Sequence, residues 1–369
     1  MRIVQVCRIG WPHVGGMEVA VDGLARALAG RGHDVRVVTL ARALTDGRVL
    51  PEARHEGVPY LRVPRVGFSR YPLARGLLPH LRGADIVHVH GLDGLSDQVV
   101  ATRRWHGARV AVSTHGGYFH TPRLRRLKEV WLRTITHHTL SRADAVWFTS
   151  EADRERLGGG GVSGVVLENG VDTDRFAGLP RAPEPGRFVV FGRVDAHKGL
   201  GDLLDVLAIL ATRDARPFVL DVVGPEGARG VVDALRDRAA AWGLEERVRF
   251  HGALPEAPLR EILARAELAL FPSRYEGFGL AVVELMAAGM PVVVSAIPAF
   301  DRLVRPGATG HRIDFTQPDP AADALAALRG GDHTAQAAAA RGAAARYAWS
   351  TRVEEWEAAY EGLLAGAGP

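Results

Sequence analysis

The chain has 369 residues, of which 47% are hydrophobic and 24% charged, and these proportions are ordinary for a globular protein. A single core rarely extends over such a length, so two domains are expected. No apolar run approaches the roughly 20 residues that a membrane-spanning helix needs. Residues 1–6 have the pattern of a strand and lack the apolar region of a signal peptide, and the single Cys7 has no internal disulfide partner. We therefore expect a cytoplasmic protein with a buried, inert thiol.

Charge is distributed unevenly along the chain. Residues 1–180 contain 25 Lys and Arg against 17 Asp and Glu, whereas the remainder contains 21 against 25. A basic N-terminal half would suit an anionic membrane or an acidic acceptor, although solvated surface arginine explains the same excess. No basic cluster is interleaved with aromatic residues in a nucleic-acid-binding pattern, so no nucleic-acid partner is expected. Only Lys128 and Lys198 are lysines among 46 basic residues, which suggests a role that arginine cannot fill.

The first half alternates apolar strand patterns with helix patterns. Strands are predicted at residues 2–6, 35–40, 86–90, 109–113, 145–149 and 165–167, and helices at 17–31 and around 130–141. This alternation predicts a doubly wound parallel sheet, which binds ligands beyond the carboxyl ends of its strands. In the loop at 10–16, Gly15 and Gly16 would let the backbone approach a ligand phosphate.

Three histidines lie at or just beyond predicted strand ends, namely His90, His115 and His120. His115 lies in a loop of small residues, where it would hydrogen-bond a ligand hydroxyl, shuttle a proton or simply shape the loop. His88 and His90 stand on one strand, and we expect only His90 to face a cleft.

Residues 180–186 contain three prolines and a glycine and are the predicted linker. Beyond them strands are predicted at 188–192, 218–223, 248–250, 268–271 and 292–295, and helices at 200–211, 231–242, 259–264, 280–288, 320–346 and 353–364. We predict an N-terminal domain at 1–180 and a second domain at 187–345. The last helix, within 346–369, is expected to cross back to the first domain.

Residues 271–291 combine a strand end, a glycine-bearing loop and an apolar helix that Gly289 and Pro291 end. Free N–H groups and the helix dipole make such a helix N-terminus an anion site. Glu276 in the loop and Glu284 in the helix add two carboxylates. A ligand with phosphates and hydroxyl groups, such as a nucleotide sugar, fits this combination.

The loop at 192–199 follows the first strand of the second half and contains Arg193 and Lys198. Both cations would reach one diphosphate, Arg193 as a fork and Lys198 as a point charge. The sequence has no Asp-x-Asp after an apolar strand and no His/Cys cluster with metal spacing, so no metal ligands are assigned. The two cations would then neutralise a departing nucleoside diphosphate.

With these motifs in this order, the chain resembles the retaining glycosyltransferases of family 4, which have the GT-B architecture, over nearly its whole length. The segments that carry the resemblance are Gly15-Gly16, Gly32-His-Asp-Val35, Thr114-His-Gly, Asn169-Gly-Val-Asp172, Gly192-Arg193 with Lys198-Gly199, and Glu276-Gly-Phe-Gly with Glu284. The last is the Glu-x7-Glu pattern of that family. The resemblance implies two Rossmann-like domains facing across a cleft, an acceptor-side domain at 1–180 and a nucleotide-sugar-binding domain at 187–345. It also implies retaining, metal-independent transfer of a hexosyl group from a nucleoside-diphosphate sugar, with no cofactor.

The resemblance assigns roles to individual residues of the second half. Arg193 and Lys198 match the diphosphate-binding pair, Glu276 the carboxylate that contacts the donor sugar, and Glu284 the carboxylate that holds the ribose hydroxyls. Phe278, Gly279 and Leu280 match backbone donors to the phosphate and sugar. Gly192 and Gly277, in the same motifs, are predicted to bind the substrate as well.

In the first half, Gly16, with Gly15 before it, matches the loop glycine beside the diphosphate. His115 matches the histidine near the reacting face of the sugar.

The donor base and the acceptor stay open. Residues 114–121 resemble a loop of exopolysaccharide mannosyltransferases and point to GDP-mannose, but UDP-sugars are as common in the family. The basic, amphipathic segment 123–133 would suit peripheral docking on the inner face of a membrane and a lipid-linked acceptor. An ordinary amphipathic helix that packs on its own domain explains the same segment, and a small soluble acceptor fits as well. Two alternatives share the fold, a GT-B sugar-nucleotide epimerase and a catalytically silent nucleotide-sugar binder.

Overall fold

The structure, a computed structural model, describes residues 1–13, 15–42, 49–68, 71–115, 129–158 and 162–366. The chain divides into two compact units. The N-terminal unit comprises Met1–Val171 together with Ala348–Pro369, and the C-terminal unit comprises Asp172–Tyr347. Within the described ranges, no helix is long and apolar enough to cross a membrane.

In its described residues, the N-terminal unit has a sheet of eight strands and a separate two-stranded hairpin. Its strands are β1 (Arg2–Cys7), β2 (Asp34–Leu40), β3 (Ala53–His55), β4 (Val58–Val63), β5 (Arg65–Phe68), β6 (Tyr71–Ala74), β7 (Ile86–His90), β8 (Arg109–Ser113), β9 (Ala145–Phe148) and β10 (Val165–Val166). Its helices are α1 (Gly16–Gly30), α2 (Leu78–Leu81), α3 (Gly94–His106), a π-helical turn (Leu132–Thr136), α4 (His137–Leu140), α5 (Glu151–Leu157) and the C-terminal helix Trp349–Ala365. The sheet order is β10-β9-β8-β7-β1-β2-β4-β3, and β5 pairs with β6 in a separate hairpin.

The C-terminal unit is built on a sheet of six parallel strands. These are β11 (Arg187–Phe191), β12 (Val219–Val223), β13 (Val248–Gly252), β14 (Leu268–Phe271), β15 (Val292–Ser295) and β16 (His311–Ile313), in the order β13-β12-β11-β14-β15-β16. Its helices are a 3-10 turn (Ala196–Lys198), α6 (Leu200–Arg213), α7 (Val231–Ala241), α8 (Glu256–Arg265), α9 (Leu280–Ala287), α10 (Pro298–Asp301), α11 (Pro318–Leu328) and α12 (Thr334–Ala345). The helix Trp349–Ala365 is named α13.

Both sheets reverse their winding at one point. In the first sheet the chain runs from β1 outward through β2 and β4, then returns to β7 on the other side of β1. In the second it runs from β11 through β12 to β13, then returns to β14 on the other side of β11. Ligands bind doubly wound sheets where the loops after two such neighbouring strands diverge. The loops after β1 and β7, and those after β11 and β14, therefore occupy the binding positions of the two units.

The structure agrees with most of the predicted strands because their side chains are buried on both faces of the sheet. Strands β7, β14 and β15 are buried at every position, and continuous apolar runs are typical of parallel strands covered by helices. The short strands between Ala53 and Ala74 were not predicted. One of them, β3, pairs antiparallel with β4, so the first sheet is not wholly parallel.

Two predicted segments differ from the structure. The helix expected over 320–346 is two helices, α11 and α12, because Gly330 and Gly331 interrupt it and Gly330 has a positive φ of 71°. The proline-rich segment 180–186 is not where the units divide. Its backbone is held on the end of α8 of the C-terminal unit, with Ala182 N donating to Ala264 O at 2.9 Å and Glu184 N to Arg265 O at 2.8 Å.

The C-terminal helix α13 completes the core of the N-terminal unit. Trp356 and Tyr360 are buried in the cluster that contains Ile3, Ile86 and Trp147. At the start of the helix Trp349 fills space left by two glycines that lack side chains. A Cβ atom placed on Gly23 or on Gly170 would lie 2.0 Å or 2.3 Å from the Trp349 ring.

Candidate functional site

The loops after β11 and β14 are held together by backbone contacts. A Cβ atom on Gly199, which has a φ of 67°, would lie 2.0 Å from the carbonyl oxygen of Pro272. Arg274 N donates to His197 O at 2.8 Å, and the Arg274 guanidinium makes two bonds of 2.7 and 2.6 Å to Asp202. These contacts hold Lys198 at a fixed position relative to the loop after β14.

The ion pair of Lys198 and Glu276 is the chemical centre of this edge of the sheet. Lys198 Nζ lies 2.5 Å from Glu276 Oε1, and Ser273 Oγ donates to the same oxygen at 2.9 Å. The side chains are 23% and 13% exposed, so both reach solvent. A phosphate group would bind the ammonium and a hydroxyl group would donate to the carboxylate, and each would replace part of the existing pair.

Gly192 directly follows β11, and the next residue, Arg193, has an exposed side chain. The Gly192 φ is 129°, and its carbonyl oxygen would lie 1.8 Å from a Cβ atom on Gly224 at the end of β12. Neighbouring strand ends thus approach each other more closely than side chains would allow. Arg193 and Lys198 both lie in the loop after β11. Glu276 lies in the loop after β14, and it shares their edge because β11 and β14 are parallel neighbours.

The helix α9 begins directly behind Glu276. Gly279 precedes it with a φ of 101°, and a Cβ atom there would lie 2.9 Å from Leu303 Cδ1 and 3.0 Å from Phe300 Cε1. Only glycine fits this position without displacement. Leu280 is the first helical residue, and the first N–H groups of a helix have no acceptor within it. They are therefore available to an anion.

Two neighbouring residues of this loop have different surroundings. Phe278 is buried, and its ring meets the Tyr347 ring edge-on at 5.4 Å between centroids. A Cβ atom on Gly277 would meet nothing within 4 Å, so this part of the loop borders open space. The loop is anchored by Phe278 and open at Gly277.

Glu284 is a buried carboxyl group of the C-terminal unit whose pKa is raised. It is 6% exposed, and Arg175 Nη1 lies 3.5 Å from its Oε1. Burial raises the pKa of Glu284 to about 7, Arg175 opposes that rise, and the negative charges of Asp172 and Glu256 add to it. Arg175, whose guanidinium lies 4.8 Å from the Phe176 ring, was not predicted, and its only signal is its place just after the motif 169–172.

In the N-terminal unit the loop after β1 leads into α1. Gly15 is the residue before the helix and Gly16 its first residue, and Val19 N donates to Gly15 O at 2.9 Å. Among the described residues, no side chain caps this helix end. The start of α1 is therefore a second place where backbone N–H groups are available.

His115 lies two residues beyond β8, half-buried, with a φ of 47°. A histidine in this backbone region is strained, and such strain is common at functional sites. Burial lowers the pKa of His115 to about 4, with the charge of Asp153 opposing the shift. Its Nε2 lies 2.9 Å from His90 Nδ1.

The expectation that only His90 would face a cleft is wrong. His88 and His90 are both buried, and their rings lie 3.9 Å apart between centroids. Residues two apart on a strand point to the same face, and α13 covers that face through Tyr360. His120, Lys128 and most of the basic segment 123–133 lie outside the described residues.

In the part of the chain that the structure describes, no group of three or more His, Cys, Asp or Glu side chains could hold a metal ion.

Comparison with known proteins gives family matches along the chain. Residues 172–344 match the family model described as Glycosyl transferases group 1, and residues 14–175 match that described as Glycosyltransferase Family 4. The GDP-mannose:cellobiosyl-diphosphopolyprenol alpha-mannosyltransferase of Xanthomonas campestris is 35% identical, with 99% of this chain and 97% of that protein aligned. The phosphatidyl-myo-inositol mannosyltransferase of Mycobacterium tuberculosis (strain H37Rv) is 32% identical, with 100% and 98% aligned.

Solved structures share the fold. Sucrose-phosphate synthase from Thermosynechococcus elongatus superposes with a TM-score of 0.76 at 21% identity, covering 99% of this chain and 100% of that one. Anabaena HepE, solved in complex with UDP and glucose, superposes with a TM-score of 0.73 at 18% identity, covering 98% and 99%.

Proposed function

The chain belongs to glycosyltransferase family 4, and on that premise we propose that it transfers a mannosyl group from GDP-mannose to a lipid-linked acceptor, with retention and without a metal ion. Its membership and its two parallel-sheet α/β units confirm the predicted GT-B fold class and the predicted glycosyltransferase activity. The observation that carries the proposed metal-independent transfer is the Lys198–Glu276 pair at the point where the second sheet reverses its winding.

The cations of this edge would stabilise the leaving group. As the glycosidic bond to the diphosphate breaks, negative charge grows on the departing phosphate oxygen. Lys198 and Arg193 would neutralise it, and the free N–H groups at Leu280 would hold a second phosphate oxygen. Cationic side chains and a helix N-terminus supply the charge stabilisation that a divalent ion supplies elsewhere, which supports metal independence.

The carboxylates would hold hydroxyl groups of the donor. Glu276, released from part of its pairing when Lys198 binds phosphate, would accept a hydrogen bond from the sugar. Glu284 would accept from the ribose, and its position one to two turns inside α9 keeps it beside the phosphate-binding N-terminus. Each carboxylate thus orients one end of the nucleotide sugar.

The donor, acceptor and stereochemistry are taken from relatives. The Xanthomonas campestris relative is named for GDP-mannose, a diphosphopolyprenol-linked acceptor and an alpha-mannosyl product, and it aligns with nearly the whole chain. Mannose is alpha-linked in GDP-mannose, so an alpha-mannoside product corresponds to retention. A lipid-linked acceptor and the basic composition of residues 1–180 support peripheral contact with the inner face of a membrane.

The proposal is tested with two variants and two controls. Lys198→Ala and Glu276→Ala should each lower mannosyl transfer by about a hundredfold or more, because each removes a charged contact to the transition state. Arg236→Ala and Glu261→Ala remove exposed charges from α7 and α8 and should keep wild-type transfer. Near-wild-type turnover in either site variant refutes the assignment.

The donor is identified with a thermal-shift panel of GDP-, UDP- and ADP-sugars on the full chain. A donor at 100 times its Kd stabilises the folded state by about 2.7 kcal/mol. We expect GDP-mannose to give the largest shift and chelation by EDTA to leave transfer unchanged. A larger shift with a UDP-sugar would refute the proposed base.

Sedimentation with phosphatidylglycerol vesicles, compared with phosphatidylcholine, tests membrane contact.

A further inference from the structure

A continuous chain of hydrogen-bonded polar side chains crosses the core of the N-terminal unit and ends at His115. It runs from His115 Nε2 to His90 Nδ1 (2.9 Å), from His90 Nε2 to Gln5 Oε1 (2.5 Å), from Gln5 Nε2 to Tyr360 OH (3.0 Å), from Tyr360 OH to His88 Nδ1 (2.7 Å) and from His88 Nε2 to Ser113 Oγ (2.7 Å). Every member except His115 is buried. Buried polar groups of this number are kept only when their donors and acceptors match.

The directions of these hydrogen bonds follow from the Gln5 side chain. Its Nε2 donates to the Tyr360 hydroxyl, so its Oε1 faces His90 and can only accept. His90 Nε2 must therefore carry a hydrogen. Burial lowers the pKa of His90 well below its ordinary value, so the ring is neutral and has only that one hydrogen. His90 Nδ1 is consequently an acceptor.

The tautomer of His90 in turn determines the tautomer of His115. Because His90 Nδ1 accepts, His115 Nε2 is the donor of the bond between the two rings. The His115 ring is also neutral near pH 7, since burial lowers its pKa to about 4. A neutral imidazole with a hydrogen on Nε2 has a lone pair on Nδ1. The ring therefore offers an acceptor at Nδ1, on the side away from His90.

We propose that His90, held by Gln5, is a positioning residue that fixes His115 in the Nε2–H tautomer, so that His115 Nδ1 accepts a hydrogen bond from a substrate hydroxyl. The inference rests on the proposed function for the identity of that hydroxyl, which belongs to the sugar or the acceptor. His115 then aligns the substrate as a neutral acceptor and does not act as a cation or as a proton donor.

The polypeptide backbone supports the same role. The His115 φ of 47° lies in a region that side-chain-bearing residues rarely adopt, and the bond to His90 holds the ring in one orientation there. A free ring would flip about its Cβ–Cγ bond, which puts carbon atoms in the places of Nδ1 and Nε2, and its hydrogen would exchange between the two nitrogens. Fixing the tautomer removes that ambiguity before substrate binds.

Two amide variants at His90 distinguish the role of its Nδ1 from the role of its Nε2. In His90→Asn the amide oxygen occupies about the place of Nδ1, so an acceptor for His115 remains. In His90→Gln the amide reaches the place of Nε2, so the contact with Gln5 remains and the acceptor for His115 is lost. We expect His90→Asn to keep mannosyl transfer within about threefold of wild type and His90→Gln to lose about tenfold in kcat/KM. His88→Gln, equally buried and one step farther along the chain of bonds, is the structural control.

The deciding readout is the ¹⁵N NMR spectrum of the His115 ring in the full chain near pH 7, assigned with His115→Gln. The proposal expects hydrogen on Nε2 and not on Nδ1 in wild type, His90→Asn and His88→Gln, and a changed or mixed tautomer in His90→Gln. An Nδ1–H tautomer in wild type, or an unchanged signature in His90→Gln, overturns it. The spectrum does not depend on the donor, so an Nε2–H signature without mannosyl transfer would support the positioning and refute only the proposed donor.

Discussion

Replacing Glu284 by glutamine should stabilise the C-terminal unit above neutral pH. Burial raises the pKa of this carboxyl from 4.5 to about 7. A tenfold change in proton affinity corresponds to about 1.4 kcal/mol, so keeping Glu284 ionised in the folded state costs about 3 kcal/mol. Below pH 4.5 the group is protonated in both the folded and the unfolded chain, and the cost is absent. It grows as the pH rises toward 7 and is complete above that value.

Glu284→Gln removes this cost and keeps the shape of the side chain. Urea unfolding followed by circular dichroism at several pH values should show the variant about 3 kcal/mol more stable near pH 8 and equal to wild type near pH 4. In thermal melts the same difference would be roughly 6–12 °C for a unit of this size. Glu261→Gln, an exposed carboxylate on α8, is the control and should change stability by less than about 0.5 kcal/mol.

The gain in stability should accompany a loss of function. A glutamine offers one acceptor oxygen where the ionised carboxylate offers two, so the affinity for GDP near pH 8 should fall about tenfold by calorimetry. Equal stability of variant and wild type near pH 8, or a difference that does not shrink toward pH 4, would refute the reasoning about Glu284. Unchanged GDP affinity would refute its proposed contact with the ribose.

Three further predictions concern other residues. Gly199→Ala should destabilise the chain by about 2 kcal/mol or more because its Cβ would meet Pro272 O at 2.0 Å, whereas Gly230→Ala, also at positive φ but with open space around it, should cost about 1 kcal/mol in urea unfolding. Tyr360→Phe should cost about 1–3 kcal/mol, since the Gln5 amide would lose a buried partner, and equal unfolding midpoints would contradict this. Arg175→Ala should move the pKa of Glu284 further upward by removing a positive charge, and a downward shift in a pH titration of GDP binding would contradict it.

The central part of the fold was predictable because its strands are buried on both faces. β7, β8, β14 and β15 have the bounds expected from their apolar runs. The short strands from β3 to β6 were not predictable, since they contain proline, glycine and charged residues and are defined by pairing with neighbours at the sheet edge or in a hairpin.

The residues that make up the candidate site were easier to predict from the sequence than the contacts between them. The doubly wound pattern already brings the loops after β11 and β14 to one edge, so Lys198 and Glu276 were expected near each other. Their direct pairing depends on the close approach of Gly199 to the Pro272 carbonyl oxygen, which no local sequence pattern reveals. Arg175 comes from outside the sheet, and sequence periodicity contains no signal for it.

The hydrogen-bonded side chains that end at His115 could not be predicted from the sequence for a different reason. Gln5 and Tyr360 are 355 residues apart in sequence, and each alone has the pattern of an ordinary core position. Their hydrogen bond becomes visible only when α13 is placed on the sheet. Long-range polar pairs of this kind are fixed by tertiary packing and not by local propensity.

The wedge of Trp349 between Gly23 and Gly170 has a consequence for biosynthesis. Domains generally fold in the order in which the ribosome delivers them. In this chain, however, α13 reaches the cluster of Ile3, Ile86 and Trp147 only after the whole of Asp172–Tyr347 has been made. We expect the C-terminal unit to become protease-resistant on the ribosome before the N-terminal unit does. The sheet of the N-terminal unit would keep an uncovered apolar face until α13 has been synthesised.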